Sequence, residues 1–467
     1  MKLKKITAIM LSAALTFTAA ACSTNENTDP AGTSNSTGQG TVENTQGSSE
    51  NTGASTDSQP EGTLALVPEE APPSSVSDLN DYSYADSVAD SKYVIADGIT
   101  DRMVALSELN FGNTVRLSNV MKKAESGDSI TVSFIGGSIT QGSTAATESD
   151  CYASLVKDWF VKTYPNSDVK FNKAGIGATG SYIGVHRVER DVLVNKPDVV
   201  FVEFSVNDTT ENTRRDVDSY DSLLRKIWNS ESKPAIVCIG MTQDSGISVQ
   251  NYHYDIAKSY DLPFISYRNA ILDVIKKGHI KWTDISDDNI HPNTVGHSVL
   301  AEIITHYLDK VNGEKDSAGG DESDFSKAYT SDKYVNAVTL TPSEIEGTDE
   351  TGTFEANTDN VWSNMKGYWG ARTRGGFDGA KLVFKDVEAK NIGLLYGRLT
   401  GSGTILDIYI DGVLAKSIDT RFPGGWGDYA EAASVASFEK TEKHTIEIVP
   451  QEIEDAKRIY ISGLLIS

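Results

Sequence analysis

The chain has 467 residues, more than one ordinary domain holds, and 66 Asp and Glu against 42 Lys and Arg give it a formal net charge of -24. That surplus repels phosphate backbones and anionic headgroups, so no nucleic-acid partner is expected, and acidic polysaccharides are disfavoured at long range. Three cysteines are too few for a disulfide framework and no CxxC or HExxH spacing occurs, so neither a metal nor a cofactor is expected.

Residues 1–22 read as an export signal: Lys2, Lys4 and Lys5, an apolar run, then small residues up to Cys22. Those small residues resemble a lipoprotein cleavage site, which would make Cys22 a lipidated N-terminus and place the protein at the cell surface, with that lipid as its membrane contact. Ala19 stands where such sites usually carry leucine. Residues 23–63 are Ser, Thr, Asn, Gly and Gln with almost no large apolar side chains; they cannot offset their ordering entropy and are expected to form a disordered stalk.

From 64 to 312 one α/β domain is expected. Apolar runs at 130–135, 169–172, 198–204, 235–240 and 263–267 alternate with helical patterns such as 152–164 and 182–195. Buried runs between amphipathic helices predict a parallel sheet covered on both faces, with the site beyond the carboxyl ends of its strands. A Gly, Asp and Ser-rich linker is expected at 313–329. Beyond it, at 330–467, short alternating runs (381–384, 405–410, 444–449, 459–466) separated by turns such as Ile410-Asp-Gly-Val413 predict an all-β sandwich.

Three motifs carry chemistry. Ile-Thr-Val-Ser-Phe-Ile-Gly-Gly-Ser-Ile-Thr-Gln-Gly (130–142) runs a strand into two glycines and a serine at the turn. Ser-Val-Asn-Asp (205–208) ends another apolar strand, and Asp288-Asn-Ile-His291 precedes the last helix of the α/β region. Acyl transfer needs a nucleophile, a base neutral near pH 7, a group that orients the base, and oxyanion donors. Ser138, His291 and Asp288 supply the first three; Asp284 is the competing acid. The other six histidines have no Asp three residues earlier. The absence of a Gly-x-Ser-x-Gly elbow around Ser138 argues against an α/β-hydrolase.

Together these motifs resemble the SGNH (GDSL-like) hydrolase superfamily. The resemblance implies a flavodoxin-like three-layer domain and an oxyanion hole built from the Ser138 N–H, the Asn207 side chain and one N–H of the loop 173–181. Ala178 stands there at the family's usual glycine with Gly177 beside it, leaving two candidate donors. Gly137 replaces the common Asp before the nucleophile. The two-part chain resembles bacterial carbohydrate esterases, which implies acetylated polysaccharide or oligosaccharide as substrate. A lipase or thioesterase, or a non-catalytic glycan-binding protein, are the alternatives, and the oligomeric state is open. Trp362, Trp369 and Trp426 are candidate sugar-stacking residues, core packing being the other reading. If the sandwich is a separable binding module, truncation after about residue 325 should spare small aryl acetates and weaken action on polymer.

Overall fold

The computed structural model describes residues 63–467 apart from 72–76, 78, 209–212, 321, 363–364, 373–376, 425 and 454–456; the export signal, Cys22 and the stalk up to residue 62 lie outside the described residues. The first domain runs α1 (Asp101–Ser107), β1 (Glu108–Asn110), α2 (Val115–Glu125), β2 (Ile130–Gly136), α3 (Ser138–Gln141), α4 (Tyr152–Thr163), β3 (Val169–Gly175) and α5 (Ser181–Asp191). It continues through β4 (Val199–Glu203), α6 (Thr213–Trp228), β5 (Ala235–Gly240), α7 (Gln250–Ser259), β6 (Phe264–Ser266), α8 (Tyr267–Lys276) and α9 (Thr294–Glu314).

Five strands are parallel in the order β3-β2-β4-β5-β6, the flavodoxin-like arrangement. The expected sheet gains one strand: β1 pairs antiparallel with β6 at the edge, and its three half-buried residues leave no alternation to read. The chain leaves β2 to one side for β3 and lies on the other side at β4, so a crevice opens beyond the carboxyl ends of these strands. Side chains alternate between two cores. Val199 and Phe201 face the layer of α2, α4, α8 and α9; Val200 and Val202 face that of α5, α6 and α7. Each fully buried side chain of this size contributes about 1.5–3 kcal/mol.

The second domain is antiparallel throughout: β7 (Val338–Leu340), β8 (Glu355–Trp362), β9 (Met365–Arg372), β10 (Leu382–Arg398), β11 (Ile405–Ile410), β12 (Val413–Asp419), β13 (Tyr429–Pro450) and β14 (Arg458–Ile466). Its strands form one hydrogen-bonded path, β12-β11-β13-β10-β14-β9-β8, with β7 on β14. β10 and β13 reach 17 and 22 residues, far longer than their alternating runs. Register shifts around Phe384–Val387 and Ala389–Asn391 carry the pairing through places where the alternation breaks.

The two domains share a core. Leu394 and Tyr396 of β10 face the interior of the β domain, while Leu395, with Ala430, Ala432 and Leu465, packs against Tyr182, Ile183 and Val217 of α5 and α6. Lys226 Nζ donates to Ala337 O at 2.7 Å and Arg215 to Ala432 O at 3.3 Å. The expected linker is anchored as well: Phe325 stacks on Trp228 at 4.6 Å and on Tyr260 at 4.1 Å. Upstream, Leu64 packs on the β-domain core and Val67 N–H donates to Ser437 O at 2.8 Å, so the segment assigned to the start of the α/β domain begins on the other one. Truncation near residue 325 would therefore uncover apolar helix faces, and should lower the stability of the α/β domain instead of releasing an autonomous one. Thermal unfolding of the truncated chain checks this.

Candidate active site

β2 ends at Gly136, and Ser138 is the first residue of α3, where a backbone N–H has no intrahelical acceptor. Ser138 Oγ lies 2.8 Å from His291 Nε2, and His291 Nδ1 lies 2.7 Å from Asp288 Oδ2. With Nδ1–H donating to Asp288, Nε2 is left to accept from the serine hydroxyl, which is the tautomer a base requires. The Ser138 residue is 8% exposed while the His291 and Asp288 side chains are 23% and 41% exposed, so the group lies at the rim of an open cleft. Burial raises the Asp288 carboxyl, but hydrogen bonds from the His291 ring and from the His291 and Ile290 N–H groups outweigh it and hold the carboxyl below its ordinary range. Asp284 lies elsewhere: it accepts from Lys281 N–H at 2.8 Å and caps the short helix Trp282–Asp284.

Side chains that sequence spacing does not reveal hold the Asp288–His291 turn. Trp282 Nε1–H donates to Asp288 O at 2.6 Å, and Ser286 Oγ lies 2.8 Å from Asp288 O and 2.5 Å from His291 O. Thr144 donates to Pro292 O at 2.7 Å, and His297 Nε2 reaches Ser143 O at 3.2 Å. Burial pushes His297 down to about 4, so it ties the loop after the serine to α9 as a neutral ring. Under the turn, buried Arg187 donates to Gly136 O at 3.0 Å and Ala174 O at 2.8 Å, joining the ends of β2 and β3.

The structure separates two of the oxyanion candidates. Gly177 N–H donates to Gln141 Oε1 at 2.7 Å and is engaged. Ala178 N–H has no partner among the described residues, and Ala178 adopts φ 59°, the left-handed conformation that favours glycine. Asn207 and Ala178 line the same small crevice of about 80 Å³, together with Glu431 and Ala432 of the β domain. Asp208 Oδ1 accepts from Ser181 N–H at 2.6 Å, and Asp208 Oδ2 lies 2.9 Å from His253 Nε2, whose ring stacks on Tyr220 at 3.7 Å. This second, buried His–Asp pair links the 173–181 loop to the Asn207 turn; a separation of 45 residues hid it from spacing rules.

Gly137 is required by proximity. A Cβ there would fall 2.0 Å from Asn207 Oδ1. Gly137→Ala should displace the Asn207 amide and lower kcat by about 100- to 1000-fold, the cost of losing one oxyanion donor, while circular dichroism stays native.

The aromatic candidates divide. Trp369 is 2% exposed and packs edge-on against Phe384 at 4.8 Å, so its assignment as a sugar-stacking residue is corrected: it is a core residue of the β domain. Trp426 is 65% exposed, and stacks on Tyr429 at 4.7 Å with Phe422 edge-on at 5.0 Å. The Trp362 side chain lies outside the described residues.

Residues 134–299 match the GDSL-like Lipase/Acylhydrolase family. A crystal structure of a two-domain esterase (CEX) active on acetylated mannans is 31% identical, covering 77% of this chain and 96% of its own, with a TM-score of 0.71. A structure of such an esterase co-crystallised with mannopentaose has a TM-score of 0.69 at the same identity and coverage. An acetylxylan esterase from Geobacillus stearothermophilus, Axe2, matches at 22% identity over 38% of this chain and 94% of its own, with a TM-score of 0.32. No curated protein sequence matches the chain.

Proposed function

Because the chain belongs to the GDSL-like lipase/acylhydrolase family and is a carboxylic ester hydrolase, we propose that it removes acetyl groups from polysaccharide, acetylated mannan first, through an acyl-enzyme on Ser138. The observation that carries this reading is the unbroken hydrogen-bonded series Asp288–His291–Ser138 beyond the sheet's carboxyl edge. Ser138 Oγ attacks the acetyl carbonyl as His291 Nε2 takes its proton, with Asp288 holding the imidazolium. The developing oxyanion is met by the Ser138 and Ala178 N–H groups and by the Asn207 amide. His291 then returns the proton to the departing sugar hydroxyl. Water, activated by the same ring, cleaves the acetyl-serine to acetate and restores the hydroxyl.

The mannan preference follows from the esterases active on acetylated mannans that this chain resembles over both domains. An acetyl group suits a cleft this shallow better than a long acyl chain, which needs an apolar channel to leave water. The exposed Trp426, stacked on half-buried Tyr429, is the sugar platform: Tyr429 Oη donates to Glu431 Oε2 at 3.1 Å, and Glu431 lines the crevice that holds Asn207. Trp426→Ala should raise KM on acetylated mannan roughly tenfold, from loss of one stacking face, and leave a small aryl acetate unaffected. Acetate release from acetylated mannan, xylan and pectin, with a series of acyl chain lengths, tests the assignment; a preference for long acyl chains would favour the lipase or thioesterase reading.

Lys2, Lys4, Lys5 and the run to Cys22 support export and lipid anchoring at the cell surface, with 23–63 as a spacer of several nanometres. Cys22→Ser should release the protein to the medium or block its processing. Membrane retention of a correctly cleaved Cys22→Ser product would contradict the anchor.

A further inference from the structure

Glu203 is the last residue of β4, in register with Gly136 at the start of the nucleophile turn and four residues before Asn207. It closes an apolar run, and its side chain is completely buried on the face of the sheet that carries Phe201. Neither carboxyl oxygen reaches a hydrogen-bond partner of good geometry, and no cation pairs with it among the described residues. Facing it are the Thr140 hydroxyl of α3 and the N–H groups of Gly137 and Ser205. The ionisable groups around it are Asp208 beyond β4, Tyr152 of α4 and Tyr220 of α6. Both tyrosines are held neutral by burial, so the nearby charge is the Asp208 carboxylate, the wrong sign to stabilise a second anion.

We propose that Glu203 is a positioning residue that preserves the oxyanion pocket while it carries its proton and disturbs the pocket when it ionises, giving the enzyme a built-in alkaline limit. The proposal rests on the esterase reading of the site. A neutral carboxyl needs no counter-charge and lets the turns after β2 and β4 keep their geometry. On ionisation the proton passes to solvent hydroxide, and the stranded carboxylate must recruit donors: Gly137 N–H, one residue before Ser138, and Ser205 N–H, two before Asn207. Both sides of the oxyanion pocket then move, and a misplacement of about 1 Å can cost on the order of 100-fold in rate. Burial first, and Asp208 second, push this carboxyl up to about 8. The folded state thus holds a proton that the unfolded chain has already lost above the ordinary glutamate range, so stability declines as pH rises from that range toward this value, and activity declines above it.

The test is the pH profile of kcat/KM on a soluble aryl acetate, from about pH 6 to about pH 10, for the full chain, Glu203→Gln, Glu203→Ala and Ser138→Ala. The wild type is expected to lose activity above about pH 8, about tenfold per pH unit, while remaining folded. Glu203→Gln, which reproduces the neutral polar group, should be active at neutral pH without that decline; Glu203→Ala should be impaired at every pH. A wild-type profile flat to the alkaline end, or the same decline in Glu203→Gln, overturns the proposal. Should Glu203→Gln fail to fold, infrared spectra of wild type labelled with 13C-glutamate decide. A protonated carboxyl band vanishing with the activity supports the proposal; its absence at neutral pH overturns it. Activity in Ser138→Ala would instead defeat the esterase reading itself, separating the two failures.

Discussion

Replacing Ser138 by alanine is expected to abolish release of acetate and of p-nitrophenol, with a loss in kcat of roughly 10⁴- to 10⁶-fold. The argument is geometric. Ser138 Oγ lies within 2.8 Å of His291 Nε2, and its own backbone N–H begins α3 without an intrahelical acceptor, so in the proposed mechanism one residue supplies both the attacking atom and an oxyanion donor. Alanine keeps the donor and removes the nucleophile. Substrate binding should persist with little change in KM, and thermal stability should be close to wild type because only one hydroxyl is lost. Titration of released acetate under single-turnover and steady-state conditions checks both halves of the expectation.

Asp288→Asn should lower turnover by roughly 10⁴-fold while Asp284→Asn leaves it near wild type. Asparagine can present an N–H to His291 Nδ1 where the carboxylate accepts one, which favours the tautomer with the proton on Nε2, unable to receive the proton of Ser138. Asp288 also accepts the N–H groups of Ile290 and His291, each at 2.7 Å, so the turn that presents the imidazole loosens as well. Asp284 has no such link; its carboxylate is spent on the N–H of Lys281. The opposite ranking of the two variants would move the orienting role to Asp284.

What could be read in the sequence was local. The strand running into Gly136-Gly137-Ser138 and the Asp288-x-x-His291 spacing each declare themselves within a few residues, and four of the five parallel strands are apolar runs whose bounds fall within one residue of those seen. By contrast, β3 runs three residues past the expected 169–172, because polar, half-buried Lys173 ends the readable run before Ala174 and Gly175. Glu203 was hidden inside such a run because a carboxylate at a strand end reads as the beginning of a loop. Arg187 and the Asp208–His253 pair act across 51 and 45 residues of sequence, a range no spacing rule reaches. Trp369 takes an inward position of the regularly alternating strand β9, whereas Trp426 sits in the loop between β12 and β13, and the aromatic residue type alone does not distinguish a core-facing strand position from a loop. The shared core was invisible for a different reason: the apolar faces of α5 and α6 look the same whether a loop or the β10 and β13 strands cover them.

The central claim is that this chain is a serine esterase whose nucleophile is Ser138. An activated fluorophosphonate reacts with a serine only where a base and an oxyanion pocket already activate it. Titrating the folded chain with such a reagent and locating the adduct by peptide mass tests the claim most directly. One equivalent should be incorporated at Ser138, in proportion to the loss of ester hydrolysis. Complete inactivation with the adduct on another residue, or full ester hydrolysis by a chain quantitatively labelled at Ser138, would contradict it.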